Sequence, residues 1–242
     1  MKLSQIKYKR IMLKVSGEAL AGEARRGLDF SIIDSVCEAI KTCVQEGVQV
    51  GLMVGAGNFW RGVKDGADKM QRSHADAMGM LGTVMNSIAV ADALVRHGVD
   101  ARVLCAVEMN KFCEYFTRDT ADRYRNEGKV VIFAGGTGNP YVATDTGVVL
   151  RGVEIEADAI LMAKNVDAIY SADPNKDPNA VRYSKVTYDE VLAKHLQVTD
   201  LTAMTLAMYN DMTLVCFGLA EENSIIRVVR GEDIGTTVKN NF

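Results

Sequence analysis

The chain has 242 residues, 48% of them hydrophobic and 24% charged, the balance of a globular protein with ample material for a core. Its net charge is −3, from 28 basic and 31 acidic residues. That excludes the basic excess of a protein built to grip nucleic acid. Cys37, Cys43, Cys105, Cys113 and Cys216 are widely spaced with no CxxC pair, and three histidines add no ligand cluster. Zinc or iron–sulfur binding is therefore not expected, and reduced core thiols in a cytoplasmic protein are.

The first ten residues are basic, but no long apolar segment follows, so no secretory leader is expected. No run is read as the ~20 apolar residues that cross a bilayer. Three prolines and no Pro-, Ser- or Gln-rich stretch leave no linker, so a single domain over 1–242 is expected. In chain order, the apolar runs predict strands at 10–15, 48–54, 101–106, 129–134, 159–163 and 213–217. Several are continuous rather than alternating, the mark of parallel strands buried on both faces.

Helical periodicity fills the intervals. A helix over 30–45 carries Ile32, Ile33, Val36, Ala39, Ile40, Cys43 and Val44 on one stripe; Asp29 or Ser31 would cap it and Gly47 would end it. A long helix rich in Met, Ala, Leu and Val spans 75–97 and is closed by Gly98. Shorter ones cover 118–126, 189–195 and 201–208, and another begins near Thr144 and Asp145. Strands alternating with helices predict an α/β fold, an open and mostly parallel sheet with helices on both faces. Ligands of such sheets bind at the carboxyl ends of the strands, so functional residues are expected in the loops that follow strands.

The first loop is Lys14-Val15-Ser16-Gly17-Glu18. A lysine buried in the sheet without a partner would be costly, whereas at the strand end its ammonium reaches a crevice. Ser16 and Gly17 offer backbone N–H groups to a phosphate; the plainer reading is a turn with a solvent-facing lysine. The second loop is Gly55-Ala56-Gly57-Asn58-Phe59-Trp60-Arg61-Gly62. It lacks the third glycine of G-x-G-x-x-G, and no Walker A motif occurs anywhere. Exposed N–H donors and the forked guanidinium of Arg61 favour anion binding over a bare turn. Asp76 follows near the start of the long helix, either as a cap or as an acceptor for sugar hydroxyls. Met78, Met80 and Met85 beside it are read as core filling.

The third loop is Gly135-Gly136-Thr137-Gly138-Asn139-Pro140-Tyr141-Val142-Ala143-Thr144-Asp145. It has three glycines in four residues and leads into a helix N-terminus, where partial positive charge attracts anions. Tyr141 can stack on a base or pack on the fold. Asp145 is either the helix cap or a carboxylate that orients lysines and metal ions. A fourth segment, Lys164-Asn165 to Asp173-Pro174, is by itself a plain turn signal.

Together these segments resemble the amino-acid kinase superfamily, and within it the bacterial uridylate (UMP) kinases. The motifs that carry the resemblance are Lys14-Val15-Ser16-Gly17-Glu18-Ala19-Leu20, Gly57-Asn58-Phe59-Trp60-Arg61-Gly62 and Gly136-Thr137-Gly138-Asn139-Pro140-Tyr141. To them are added Thr144-Asp145, the stretch from Leu150-Arg151-Gly152 to Ala157-Asp158, Tyr170-Ser171-Ala172-Asp173-Pro174, and Asp200-Leu201-Thr202-Ala203-Met204-Thr205-Leu206-Ala207. The resemblance implies a three-layer α/β/α sandwich and an ATP-dependent, Mg²⁺-requiring phosphotransferase of pyrimidine nucleotide biosynthesis that converts UMP to UDP.

By resemblance, Lys14, Arg61, Asp145 and Asp200 are catalytic, and Lys14, Ser16, Gly17, Gly57, Arg61, Asn165, Tyr170 and Asp173 bind ATP. Gly55, Ala56, Asp76, Thr137, Gly138, Asn139, Pro140, Tyr141 and Thr144 bind UMP. Mg²⁺ would be reached through phosphates and Asp145 rather than by a protein ligand cluster. A homohexamer activated by GTP and inhibited by UTP is also implied, with neither nucleic acid nor membrane as partner. Ala56 stands where the family has glycine, and its methyl is expected to crowd the UMP phosphate or restrict the backbone; Ala168 is a second such position. A kinase of the same superfamily acting on carbamate, acetylglutamate or aspartate, and a nucleotide-binding or storage protein on the same fold, are the competing readings.

Overall fold

The computed structural model describes residues 6–61, 65–66, 69–196 and 199–242. The leading residues 1–5 and Gly62 of the second loop lie outside them. The longer strands are β1 (Arg10–Val15), β2 (Gln49–Val54), β3 (Ala101–Cys105), β5 (Val130–Ala134), β6 (Ala159–Lys164) and β10 (Leu214–Gly218), all foreseen to within a residue or so. Five short strands were not: β4 (Glu114–Tyr115), β7 (Ile169–Tyr170), β8 (Arg182–Tyr183), β9 (Lys185–Thr187) and β11 (Thr236–Lys239). Two to four residues are too few to show a period. Among the described residues, nine strands form one sheet in the order β4-β3-β5-β2-β1-β6-β10-β11-β9, and β7 pairs with β8 apart from it. Every pairing in the large sheet is parallel except that of β10 with β11.

Among the described residues, seven α-helices cover the sheet: α1 (Phe30–Gln45), α2 (Arg72–Arg96), α3 (Arg118–Asn126), α4 (Thr144–Glu154), α5 (Tyr188–Ala193), α6 (Leu201–Tyr209) and α7 (Ser224–Val229). Strand alternation decides which face each residue serves. Ile11, Leu13 and Val15 of β1, with Val50, Leu52 and Val54 of β2, bury against α1, α2 and α7. Met12 and Met53 point the other way, into a core built with α3, α4, α5 and α6. Both faces are therefore apolar, which is why the strands read as continuous hydrophobic runs.

The termini of α1 match expectation: Asp29 caps it by accepting from the Ser31 amide at 2.9 Å, and Gly47 follows with φ +83°. Helix α2 starts earlier than expected, because Arg72, Ser73 and His74 add a polar first turn that apolar spacing does not reveal. Asp76 is thus in the second turn and is not a cap. By length and composition α2 is also apolar enough to cross a membrane, with one window of mean hydropathy 1.5, contrary to the expectation that no run qualified. Gly, Thr, Asn and Ser interrupt the run without lowering the average enough. Here α2 packs on the sheet, burying Ala75, Val84, Val90, Ala93 and Leu94.

The motif stretch from Arg151 to Asp158 lies at the end of the sheet where β1 begins. Asp158 accepts from the amides of Lys9 and Arg10 at 2.7 and 2.8 Å. Arg151 is buried, with its guanidinium over the Phe116 ring at 3.9 Å. These residues hold strand starts in place. Since Leu13 is fully buried in the central strand, Leu13→Ala is expected to cost about 2–5 kcal/mol, read as a lower urea midpoint with an unchanged m-value.

Candidate active site

The order β5-β2-β1 brings the ends of three parallel strands side by side, and their loops, with the starts of α2, α4 and α6, enclose a cleft of about 710 Å³. Of the sites expected from the sequence, Lys14, Ser16, Gly17, Gly55, Ala56, Gly57, Arg61, Asp76, Thr137, Asn139, Tyr141, Thr144, Asp145 and Asp200 line it. Gly138 packs instead toward the Ala106 carbonyl, and Pro140 joins two lining residues. Asn165 lines a second cleft, of about 640 Å³, between α1 and the segment after β10. Tyr170 donates its hydroxyl to Asp167 at 2.8 Å, and Asp173 holds a turn by accepting from the Asn175 amide at 3.0 Å. Neither Tyr170 nor Asp173 reaches the large cleft.

Lys14 owes its position to strand alternation. It follows Met12 on the face that α4 covers, and its register neighbours are Met53 on β2 and Met162 on β6. Its ammonium rises between apolar side chains and meets Asp145 Oδ1 at 3.1 Å. Asp145 lies in the first turn of α4, where a carboxylate is favoured by the helix dipole, and Thr199 donates to its other oxygen. It is not the cap; that position belongs to Ala143, which supplies no side-chain bond. The first-turn N–H groups of α4 are left to a ligand or to water. Burial pushes the Asp145 carboxyl up, but Lys14, Lys164 and the hydrogen bonds from Thr199 and Lys14 outweigh it and hold it below its ordinary value of 3.8.

Asp200 is the N-cap of α6: Oδ1 accepts from the Ala203 amide at 2.9 Å and from Thr146 at 2.8 Å. Its Oδ2 is buried with no hydrogen-bond partner, a costly arrangement for a carboxylate oxygen unless something polar arrives. Arg61 pairs with Glu18 across the first and second loops. Both are over a third exposed, so this pair is worth about 1 kcal/mol or less and an incoming anion can displace it.

The two glycine loops touch. A Cβ on Gly17 would stand 2.3 Å from the Gly55 carbonyl and 2.5 Å from Asn58 Oδ1, so only glycine fits there. Behind them sits a clasp that sequence reasoning missed. Asn58 and Asn86 exchange amide hydrogen bonds at 2.9 and 2.8 Å; Asn86 also donates to the Gly55 carbonyl and Asn58 to Gly27, both at 2.7 Å. Asn58 is therefore a buried strut rather than a phosphate ligand. A second strut is Thr83 of α2, whose hydroxyl donates to Met80 and accepts from the Gly135 amide at 2.8 Å. The signal available in the sequence was Thr83, Asn86 and Ser87 inside an apolar helix, since buried polar side chains need partners.

Ala56 does not restrict the backbone: it is absent from the positive-φ positions, and its methyl lies where a Cβ on Gly82 of α2 would stand 2.9 Å away. Glycine at position 82 makes room for alanine at position 56.

The profile of the amino acid kinase family matches residues 9–218. The fold is similar to that of UMP kinase from Bacillus anthracis, with a TM-score of 0.93 and 32% identity over 97% of each chain. It is similar also to UMP kinase from Ureaplasma parvum, with a TM-score of 0.91 and 33% identity over 97% of this chain and 100% of the other. Uridylate kinase from Archaeoglobus fulgidus, at 24% identity and a TM-score of 0.72 over 95% and 99% of the chains, shares the fold.

Asn86→Ala orphans the Gly55 carbonyl and half of the Asn58 amide, at about 1–3 kcal/mol per group, measurable by urea denaturation. Because the Asp145 pKa is lowered on folding, its stabilisation is complete above the unfolded value of 3.8 and is lost as pH falls through the folded value. Stability of Asp145→Asn should therefore fall less steeply than wild type below about pH 4, in urea midpoints compared from pH 7 to pH 3.

Proposed function

The chain belongs to the amino acid kinase family, and from that premise we propose that it is a uridylate kinase, transferring the γ-phosphoryl group of ATP to UMP. The observation that carries the reading is one cleft in which Lys14, Arg61 and the uncapped start of α4 converge. Two relatives about a third identical over nearly the whole chain are UMP kinases.

Phosphoryl transfer asks for positioning and neutralisation of charge. In this reading Lys14, Ser16, Gly17, Gly57 and Arg61 take the ATP phosphates. Gly55 and Ala56 take the UMP phosphate, Asp76 its sugar, and Thr137, Gly138, Asn139, Pro140, Tyr141 and Thr144 its base and phosphate. Asn165, Tyr170 and Asp173, which lie outside that cleft, are assigned adenine and ribose by the resemblance alone. Lys14, set by Asp145, sits where charge develops, and the loop amides add dipoles that are already oriented. The acceptor phosphate is ionised, so no general base is required.

The donors present suit Mg²⁺ held through phosphates and water. Among the described residues no group of three His, Cys, Asp or Glu side chains could hold a metal, while the orphaned Asp200 Oδ2 and nearby Asp145 are hard oxygen acceptors. Bound there, Mg²⁺ would neutralise phosphate charge. A cytoplasmic location is part of the proposal, supported by five buried free thiols. The homohexamer and the GTP and UTP responses belong to it through the family resemblance.

A coupled ADP-release assay with UMP, CMP and dUMP tests the acceptor; turnover confined to CMP would sink it. Lys14→Ala should lower kcat by about 10²-fold or more, and a near-normal kcat would remove Lys14 from the mechanism.

A further inference from the structure

Arg72 is an odd choice for the first residue of a helix. A cation there opposes the helix dipole, and no side chain caps this helix start. The side chain is engaged elsewhere. Its Nε donates to Asp76 Oδ2 at 2.8 Å, and its guanidinium lies over the Tyr141 ring, 5.3 Å from the centroid. The same Asp76 oxygen accepts from the Tyr141 amide at 2.8 Å. Tyr141 has φ +67°, a left-handed conformation that is uncommon for a bulky residue and needs support from its surroundings. All three residues line the large cleft.

We infer that Arg72 is a positioning residue for acceptor specificity: it fixes Asp76 and, through it, the 136–143 loop that receives the acceptor nucleotide. The inference rests on the uridylate kinase reading and deepens it. With Oδ2 committed to Arg72 and Tyr141, Oδ1 is the oxygen presented to the sugar hydroxyls. The pairing also has an electrostatic purpose. The acceptor carries an anionic phosphate into the cleft, and an unpaired carboxylate would repel it; Arg72 cancels that charge while leaving an acceptor for hydroxyls. A guanidinium that donates to a carboxylate while stacked on an aromatic ring is one for which lysine does not substitute fully.

The test uses the full chain with Arg72→Gln and Arg72→Lys. Trp60, the one tryptophan, lines the cleft and donates to the Ala75 carbonyl of α2 at 2.9 Å, so its fluorescence reports UMP binding without turnover. Arg72→Gln should weaken UMP binding, and raise KM for UMP, by about tenfold, with kcat within about twofold of wild type and KM for ATP unchanged. Arg72→Lys should recover part of the loss. Amide exchange at Tyr141 in the nucleotide-free protein should rise in Arg72→Gln. A fall in kcat at constant KM would place Arg72 on the reacting phosphates and overturn the inference, as would unchanged UMP affinity with unchanged Tyr141 exchange. If wild type binds no UMP, the acceptor reading fails, and Tyr141 exchange alone then decides whether the clamp exists.

Discussion

The cleft depends on one partly buried ion pair. Lys14 leaves the central strand between two methionines and finds Asp145 on the helix that covers that face. Removing either partner would leave a poorly solvated charge, which is far more costly than the pair is stabilising. The pair also ties the end of β1 to the start of α4, fixing both the cation and the helix N-terminus relative to whatever anion occupies the space between them.

The supports around that pair come from distant parts of the chain. Asn86 of α2 holds the second loop through Gly55 and Asn58, and Thr83, one turn earlier, holds the third loop through Gly135. A single helix thus sets the separation of two loops on neighbouring strands, so their positions are fixed together. The accommodation of Ala56 by Gly82 belongs to the same contact between helix and loop. A glycine missing from the loop is matched by one present on the helix.

The sheet was legible because its central strands are buried on both faces, which leaves uninterrupted apolar runs with glycines at their ends. Lys14 was legible as a charge closing such a run, and Asp145 as a carboxylate where the helix after the third loop begins. The pairing of the two asparagines was not, because it spans 28 residues of sequence; the one local signal is that Asn86 is a polar residue inside an apolar helix. Arg72 was hidden because it precedes the apolar periodicity of α2. Asn165, Tyr170 and Asp173 were assigned by family likeness alone, and here they stand away from the large cleft, engaged in a second cleft and in local turns.

Among the described residues, every cation lining the large cleft already has a carboxylate partner: Lys14 with Asp145, Arg61 with Glu18, Arg72 with Asp76. In the proposed function, nucleotide binding at Arg61 is consequently an exchange of one counter-ion for another, and so is nucleotide departure. Glu18 waits as an internal competitor tethered beside the guanidinium at high effective concentration. It weakens binding somewhat, and in return a spent nucleotide leaves without stranding a bare charge, a trade that favours rapid turnover over tight retention of product.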